Sequence, residues 1–151
     1  MKQHQALFEK IKVLLRKHFK KTLQSHQNGS YLTIGDTGVW VNCDDNGLSI
    51  GFGSSSKHYD PEFENLSDAI ERLYYLLTKR KRIRLYLKGG HQFKNTLEIE
   101  VEENEFLEIH KAQTWLYPYW QKTVLKEMVE DKLISEDRIL KGVSALQESL
   151  N

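Results

Sequence analysis

Lys79-Arg80-Lys81-Arg82-Ile83-Arg84, continuing into Leu85, and Leu97-Glu98-Ile99-Glu100-Val101-Glu102 decide how this chain is read. Both runs alternate with a period of two, so each has one apolar and one charged face. Gly89-Gly90-His91 between them supplies a turn. In a hairpin the two apolar faces must coincide, and this fixes the parity of the register. Pairing Ile83 with Ile99 and Leu85 with Leu97 sets Arg84 opposite Glu98 and Arg82 opposite Glu100. A slip of two residues still leaves arginine against glutamate. The basic run therefore reads as half of a cross-strand charge ladder rather than as a nucleic-acid patch.

The 151 residues suit a single globular domain, 1–151, with a sizeable core. Hydrophobic residues make up 39% and charged residues 28%, values of a soluble globular protein on the polar side. The formal net charge of +1 provides no global field toward nucleic acid or an anionic membrane. Locally the balance is uneven: residues 2–21 hold seven basic side chains against Glu9, and residues 36–71 hold eight acidic ones against Lys57. The one cysteine, Cys43, excludes an internal disulfide and a thiolate metal cluster. No signal peptide or membrane span is expected, and a reducing cytoplasm suits the chain.

Outward from the charged hairpin, residues 3–24 read as an amphipathic helix through Leu7, Phe8, Ile11, Leu14, Leu15 and Phe19. Three strands follow, around Leu32 and Ile34, Val39–Cys43, and Leu48–Phe52. Asn46-Gly47 signals a two-residue hairpin that pairs Val41 with Phe52 and Cys43 with Ile50, with Trp40 against Gly53 and Asn42 against Gly51. Residues 54–64 read as a polar loop. A helix over about 66–79 follows, capped by Asn65 or Ser67. After the charged hairpin a third strand runs from Phe106 to Lys111. Pro118 suits the first turn of a helix reaching about Leu133, and Ser135 or Glu136 opens the last helix. The order α-βββ-α-βββ-αα predicts an α+β fold: a mostly antiparallel sheet of two three-stranded meanders with helices packed on one face.

Residues that could carry chemistry are few. Gly51–Ser56 lacks the lysine and the immediate helix of a phosphate loop. Asp44-Asp45 precede Asn46-Gly47 and read as a hairpin tip. His58, Tyr59 and Asp60 form the candidate ligand-binding or acid–base set of the 53–63 loop, without a nameable third partner. His91 and His110 read as solvated, and Cys43, among core valines, as buried and inert. The aromatic string Trp115–Trp120 either seals a sheet edge or anchors a partner. Trp40 aims away from Val39 and Val41, on a face shared with Tyr31, Thr33 and Asn42, where either a helix covers it or it stands as an interface anchor. No cofactor or metal is expected.

Size, compartment and the lack of a catalytic set give the whole chain a general character that resembles the small immunity proteins encoded beside bacterial toxins. Thr37-Gly38-Val39-Trp40-Val41 and Trp115–Trp120 are its distinctive strings. The resemblance implies stoichiometric inhibition of a partner protein; net charge, the charge ladder and hydropathy argue separately against specific nucleic-acid or membrane binding, and a second copy of the chain is another candidate partner. The rival expectation is a hydrolase or ligand-binding enzyme with its site in residues 53–63.

Overall fold

Alternation builds the first sheet. In the computed structural model, which describes Met1–Asn151, Val39, Val41, Leu48 and Ile50 are almost fully buried while Trp40, Asn42 and Ser49 between them stay partly open. Five antiparallel strands form this sheet in sequential order: β1 (Leu23–His26), β2 (Tyr31–Ile34), β3 (Val39–Cys43), β4 (Leu48–Phe52) and β5 (Ser55–Tyr59). Helices α1 (Gln3–His18) and α2 (Leu66–Thr78) lie on β3 and β4, and α3 (Glu136–Glu148) packs on both helices. The core joins Leu7, Ile11 and Leu15 of α1, Ile70 and Leu77 of α2 and Ile139 of α3 to the inward face of the sheet.

A second sheet contains β6 (Lys81–Lys88), β7 (His91–Glu102), β8 (Glu105–Gln113) and β9 (Thr123–Glu130), in the order β8-β7-β6-β9, all antiparallel. The chain thus divides into two compact units, Met1–Thr78 with Leu133–Asn151, and Lys79–Lys132. The α+β class and the antiparallel pairing are as the sequence predicts. The observed order is α-βββββ-α-ββββ-α, so each three-stranded meander gains strands.

Three segments differ from expectation. The first helix stops at His18, and residues up to 24 do not continue it: Leu23–His26 pairs with β2 as an edge strand. The polar segment 54–64 contains β5, whose backbone bonds to β4 although Tyr59 alone of its side chains is buried. Residues 118–133 are not helical; Thr123–Glu130 pairs with β6 along its whole length. The other two helices fall where expected. Asn65 Oδ1 accepts the Ser67 amide at the start of α2 (2.9 Å), and Ser135 is the N-cap of α3.

The β3–β4 hairpin keeps a two-residue loop but its register is shifted by two residues from the prediction: Val41 faces Ile50, Cys43 faces Leu48, Trp40 faces Gly51 and Asn42 faces Ser49. Asp44 Oδ1 accepts the amides of both Asn46 and Gly47, closing an Asx-type turn in place of a turn with positive φ at Asn46-Gly47. Gly47 is required for space, since a Cβ there would lie 2.1 Å from the Tyr59 carbonyl oxygen.

The charge ladder exists, slipped by two residues. Arg82 faces Glu98 and bonds it through Nε; Arg80 Nη1 lies 2.9 Å from Glu100 Oε2. Arg84 faces Thr96, reaches Glu98 diagonally at 3.7 Å, and places Nε 2.8 Å from Glu127 Oε1 on β9, outside hydrogen-bond alignment. Desolvation opposes the charge of Arg84, but Glu98, Tyr86 and Glu127 outweigh it and raise its pKa. The Arg82 guanidinium also lies 4.3 Å from the centre of the Phe106 ring. Beside the ladder Lys81 is fully buried, its ammonium donating to the carbonyls of Lys79 (3.0 Å) and Asp131 (3.3 Å). Burial pushes its pKa down to about 8, against Glu130 and Asp131.

Glu98 is 9% exposed and serves two arginines, so Glu98→Ala should cost about 1–3 kcal/mol and more than Arg82→Ala, with a coupling near 1 kcal/mol in the double-mutant cycle. Additive losses in chemical denaturation would show the pair to be energetically silent. For Lys81, the unfolded chain keeps its proton up to the ordinary value of 10.5 while the folded chain releases it near 8. The unfolded state therefore binds more protons between these values, and this residue's contribution makes stability rise with pH across that window. Lys81→Met should lack the rise, which amounts to about 2–3 kcal/mol at most. Parallel wild-type and variant slopes in denaturation from pH 7 to pH 10 would refute it.

Candidate functional site

The covered face of the five-stranded sheet faces the helices; its other face carries two rows of side chains. Register aligns His26, Tyr31, Asn42, Ser49 and His58 across the five strands, and beside them Gln24, Thr33, Trp40, Gly51 and Ser56. Strand spacing makes each row about 19 Å long. Apart from Gly51, every residue in the two rows is half-buried or exposed. None of the ten is Asp, Glu, Lys or Arg, although charged residues make up 28% of the chain.

The aromatic centre of the patch is built on a glycine. The indole of Trp40 lies over Gly51, where an added Cβ would fall 2.1 Å from Trp40 Cε2, and its Nε1–H donates to the Gly53 carbonyl at 2.9 Å. Tyr31 sits beside it with ring centres 5.6 Å apart, and His26 extends the row at 5.8 Å from Tyr31. His26 Nε2 shares a 3.1 Å hydrogen bond with Thr33 Oγ1. At the far end of the row Ser49 Oγ and His58 Nδ1 share a hydrogen bond of 2.8 Å. Trp40 is therefore neither covered by a helix nor free to swing: its polar edge is tied and the side chain stays partly exposed.

Of the residues singled out in the sequence, Trp40, Tyr31, Asn42 and His58 come together on this face. Tyr59 points the opposite way into the core, 2% exposed, as strand alternation beside His58 requires. Asp60 follows the strand and its Oδ1 accepts the Glu62 amide at 2.9 Å, holding a turn. His58, Tyr59 and Asp60 thus do not converge on one site. The sequence places Thr33 on this face as well, but the reading missed His26 and Ser49. Ser49 was within reach, because it shares its parity with Gly51; His26 depended on recognising β1.

Other groups belong to the helix side. His4 is buried, and its Nε2 donates to the Asp44 carbonyl at 2.8 Å; its ring and Asp60 line a cavity of about 160 Å³. Cys43 lines a larger cavity of about 500 Å³ with Phe8 and Lys12. Burial, reinforced by Asp44, Glu9 and Asp45, pushes the Cys43 thiol up to about 11, so it is protonated and a poor nucleophile near neutrality. No cluster of His, Cys, Asp and Glu suited to a metal ion is present.

Comparison of the chain with known protein families, curated proteins and solved structures finds no match.

The seat of Trp40 on Gly51 can be tested directly. Gly51→Ala places a methyl group inside the indole and should destabilise the fold by about 1–3 kcal/mol while displacing Trp40 outward. Gly51→Ala combined with Trp40→Ala should be less damaging than the two losses summed. Thermal unfolding of the three variants checks this, and a neutral Gly51→Ala would mean that the indole does not rest on the glycine.

Proposed function

We propose that this chain is a small non-enzymatic protein-binding module that docks a partner protein through the outward face of the five-stranded sheet, with Trp40 as its anchor. The carrying observation is the charge-free double row, with Trp40, Tyr31 and His26 in contact and Asn42, Ser49 and Thr33 around them. Depletion of charge with aromatic enrichment is the composition of an interface centre, and a half-buried tryptophan of fixed orientation loses little entropy on binding. The finer reading is immunity-type inhibition, in which the module occludes a partner stoichiometrically. What supports it is the same surface: an extended polar–aromatic sheet face suits covering a partner's surface rather than enclosing a small substrate.

A second reading rests on the Ser49–His58 hydrogen bond, which joins a hydroxyl to an imidazole as in nucleophilic hydrolases. Such chemistry further needs a group orienting His58 and donors for an oxyanion. Turnover of an activated ester that Ser49→Ala abolishes would establish this reading in place of the first.

Partner capture from an extract of the source cell, identified by mass spectrometry, tests the first reading. Trp40→Ala should weaken capture by about 2 kcal/mol, roughly thirtyfold. Its indole is only half-buried, so the fold should lose less than the 3–5 kcal/mol of a core tryptophan. Equal capture of the same partner by wild type, Trp40→Ala and Tyr31→Ala would remove this face from the interaction.

A further inference from the structure

We propose that the Gly89–Gly90 end of the second sheet is a docking surface for an anionic lipid bilayer, with the Trp115–Trp120 segment entering the interface and a lysine collar meeting the acidic headgroups. The proposal starts from four side chains. Trp115, Leu116, Tyr119 and Trp120 are 85%, 90%, 74% and 71% exposed, an unusual display of large apolar groups on six consecutive residues.

The segment is held so that it presents these groups. Between them Tyr117 turns back and stacks on Phe93 with ring centres 4.6 Å apart. Pro118 packs against the β6–β7 turn, where a Cβ on Gly89 would come within 3.1 Å of the proline ring; Gly89 also holds φ at +55°. The Lys88 ammonium donates to the Tyr119 carbonyl at 3.3 Å, and the Thr114 amide donates to the Phe93 carbonyl at 2.8 Å. Tyr117 and Pro118 are thus the inward pegs of a strap whose remaining large side chains face solvent.

Charge is divided along the same sheet. Residues 85–95 and 112–126, which form the half of the sheet near the strap, contain Lys88, Lys94, Lys122 and Lys126 and no aspartate or glutamate. The opposite end holds Arg80, Arg82 and Arg84, all paired with Glu98, Glu100 or Glu127. The net charge of +1 conceals this separation. Tryptophan and tyrosine settle at the headgroup level of a bilayer, and nearby lysines gain from anionic lipid.

The chemistry of the end favours lipid over single-stranded nucleic acid. Leu116 and the exposed Val124 and Leu125 on β9 have no ring face for a base. Tyr119 and Trp120 meet edge to face at 83° and form no parallel stacking platform. The arginines that would grip phosphates bidentately are committed elsewhere.

The test is co-sedimentation of the full chain with phosphatidylcholine vesicles, with and without phosphatidylserine as a major component, alongside tryptophan fluorescence. Binding to the phosphatidylserine vesicles with a blue shift, and little binding to neutral ones, is the expected result. The triple variant Trp115→Ser, Leu116→Ser, Trp120→Ser alters exposed positions only and should keep its melting temperature while losing binding more than tenfold. Lys122→Gln and Lys126→Gln should each lower binding on the order of fivefold, as one lysine near a charged surface does. No binding, equal binding to neutral vesicles, or binding retained by the triple variant would each overturn the proposal. So would tighter binding of an oligothymidylate that is lost in the same triple variant, which would assign the strap to nucleic acid.

Discussion

The face that Val39 and Val41 choose governs the first unit. Once these two residues and Leu48 and Ile50 are inside, strand geometry commits Trp40, Asn42, Ser49 and Gly51 to the outside. A register slip of two residues changes who faces whom but not which side anyone is on; a slip of one would put the tryptophan in the core and the valines in water. Burial of four aliphatic side chains, each contributing roughly 1.5–3 kcal/mol, makes the odd slip prohibitive and the even one comparatively cheap. The composition of the outward face is therefore a consequence of the core, while its detailed contacts are set by the turn at Asp44–Gly47.

The same distinction explains what was legible beforehand. Parity was readable in both hairpins, and so were the class of the fold and the existence of an arginine–glutamate ladder. Register was misjudged by two residues in each hairpin. In the first, Asn46-Gly47 looks like a turn with positive φ, but Asp44 captures both following amides and places the turn earlier. In the second, alternation leaves even slips open, and the paired Arg82 and Glu98 fit as well as the alternative.

The strands that escaped notice are all edges. Leu23–His26 and Ser55–Tyr59 carry a single inward apolar residue apiece, Leu23 and Tyr59, and are held by backbone pairing that leaves no period in the sequence. Thr123–Glu130 misleads more actively. Val124, Leu125, Met128 and Val129 recur as on a helix, and lysine, glutamate and methionine favour one. Its eight residues instead satisfy the free edge of β6, which would otherwise expose its hydrogen-bonding groups. Tertiary pairing overrides local preference here, and only knowledge of the partner strand reveals it. His26 was lost with β1, and His58, although singled out, could not be set beside Ser49 without β5, so the candidate site appeared from sequence with its centre but without one of its ends.

Paired and unpaired cations have different reach, and the second unit contains both. An arginine within hydrogen-bond distance of a carboxylate presents a dipole whose field dies away quickly, and salt screens what remains beyond about 8 Å. The most conspicuous basic run in the chain is therefore electrostatically quiet, because Arg80, Arg82 and Arg84 are neutralised across the sheet. The lysines of the opposite end, Lys88, Lys94, Lys122 and Lys126, are scattered over three strands and a loop and form no run at all. Antiparallel pairing gathers them at one end of the sheet and sends the glutamates of β7 and β8 to the other. A basic surface is thus created by topology where the sequence shows none, and cancelled by topology where the sequence shows the strongest one.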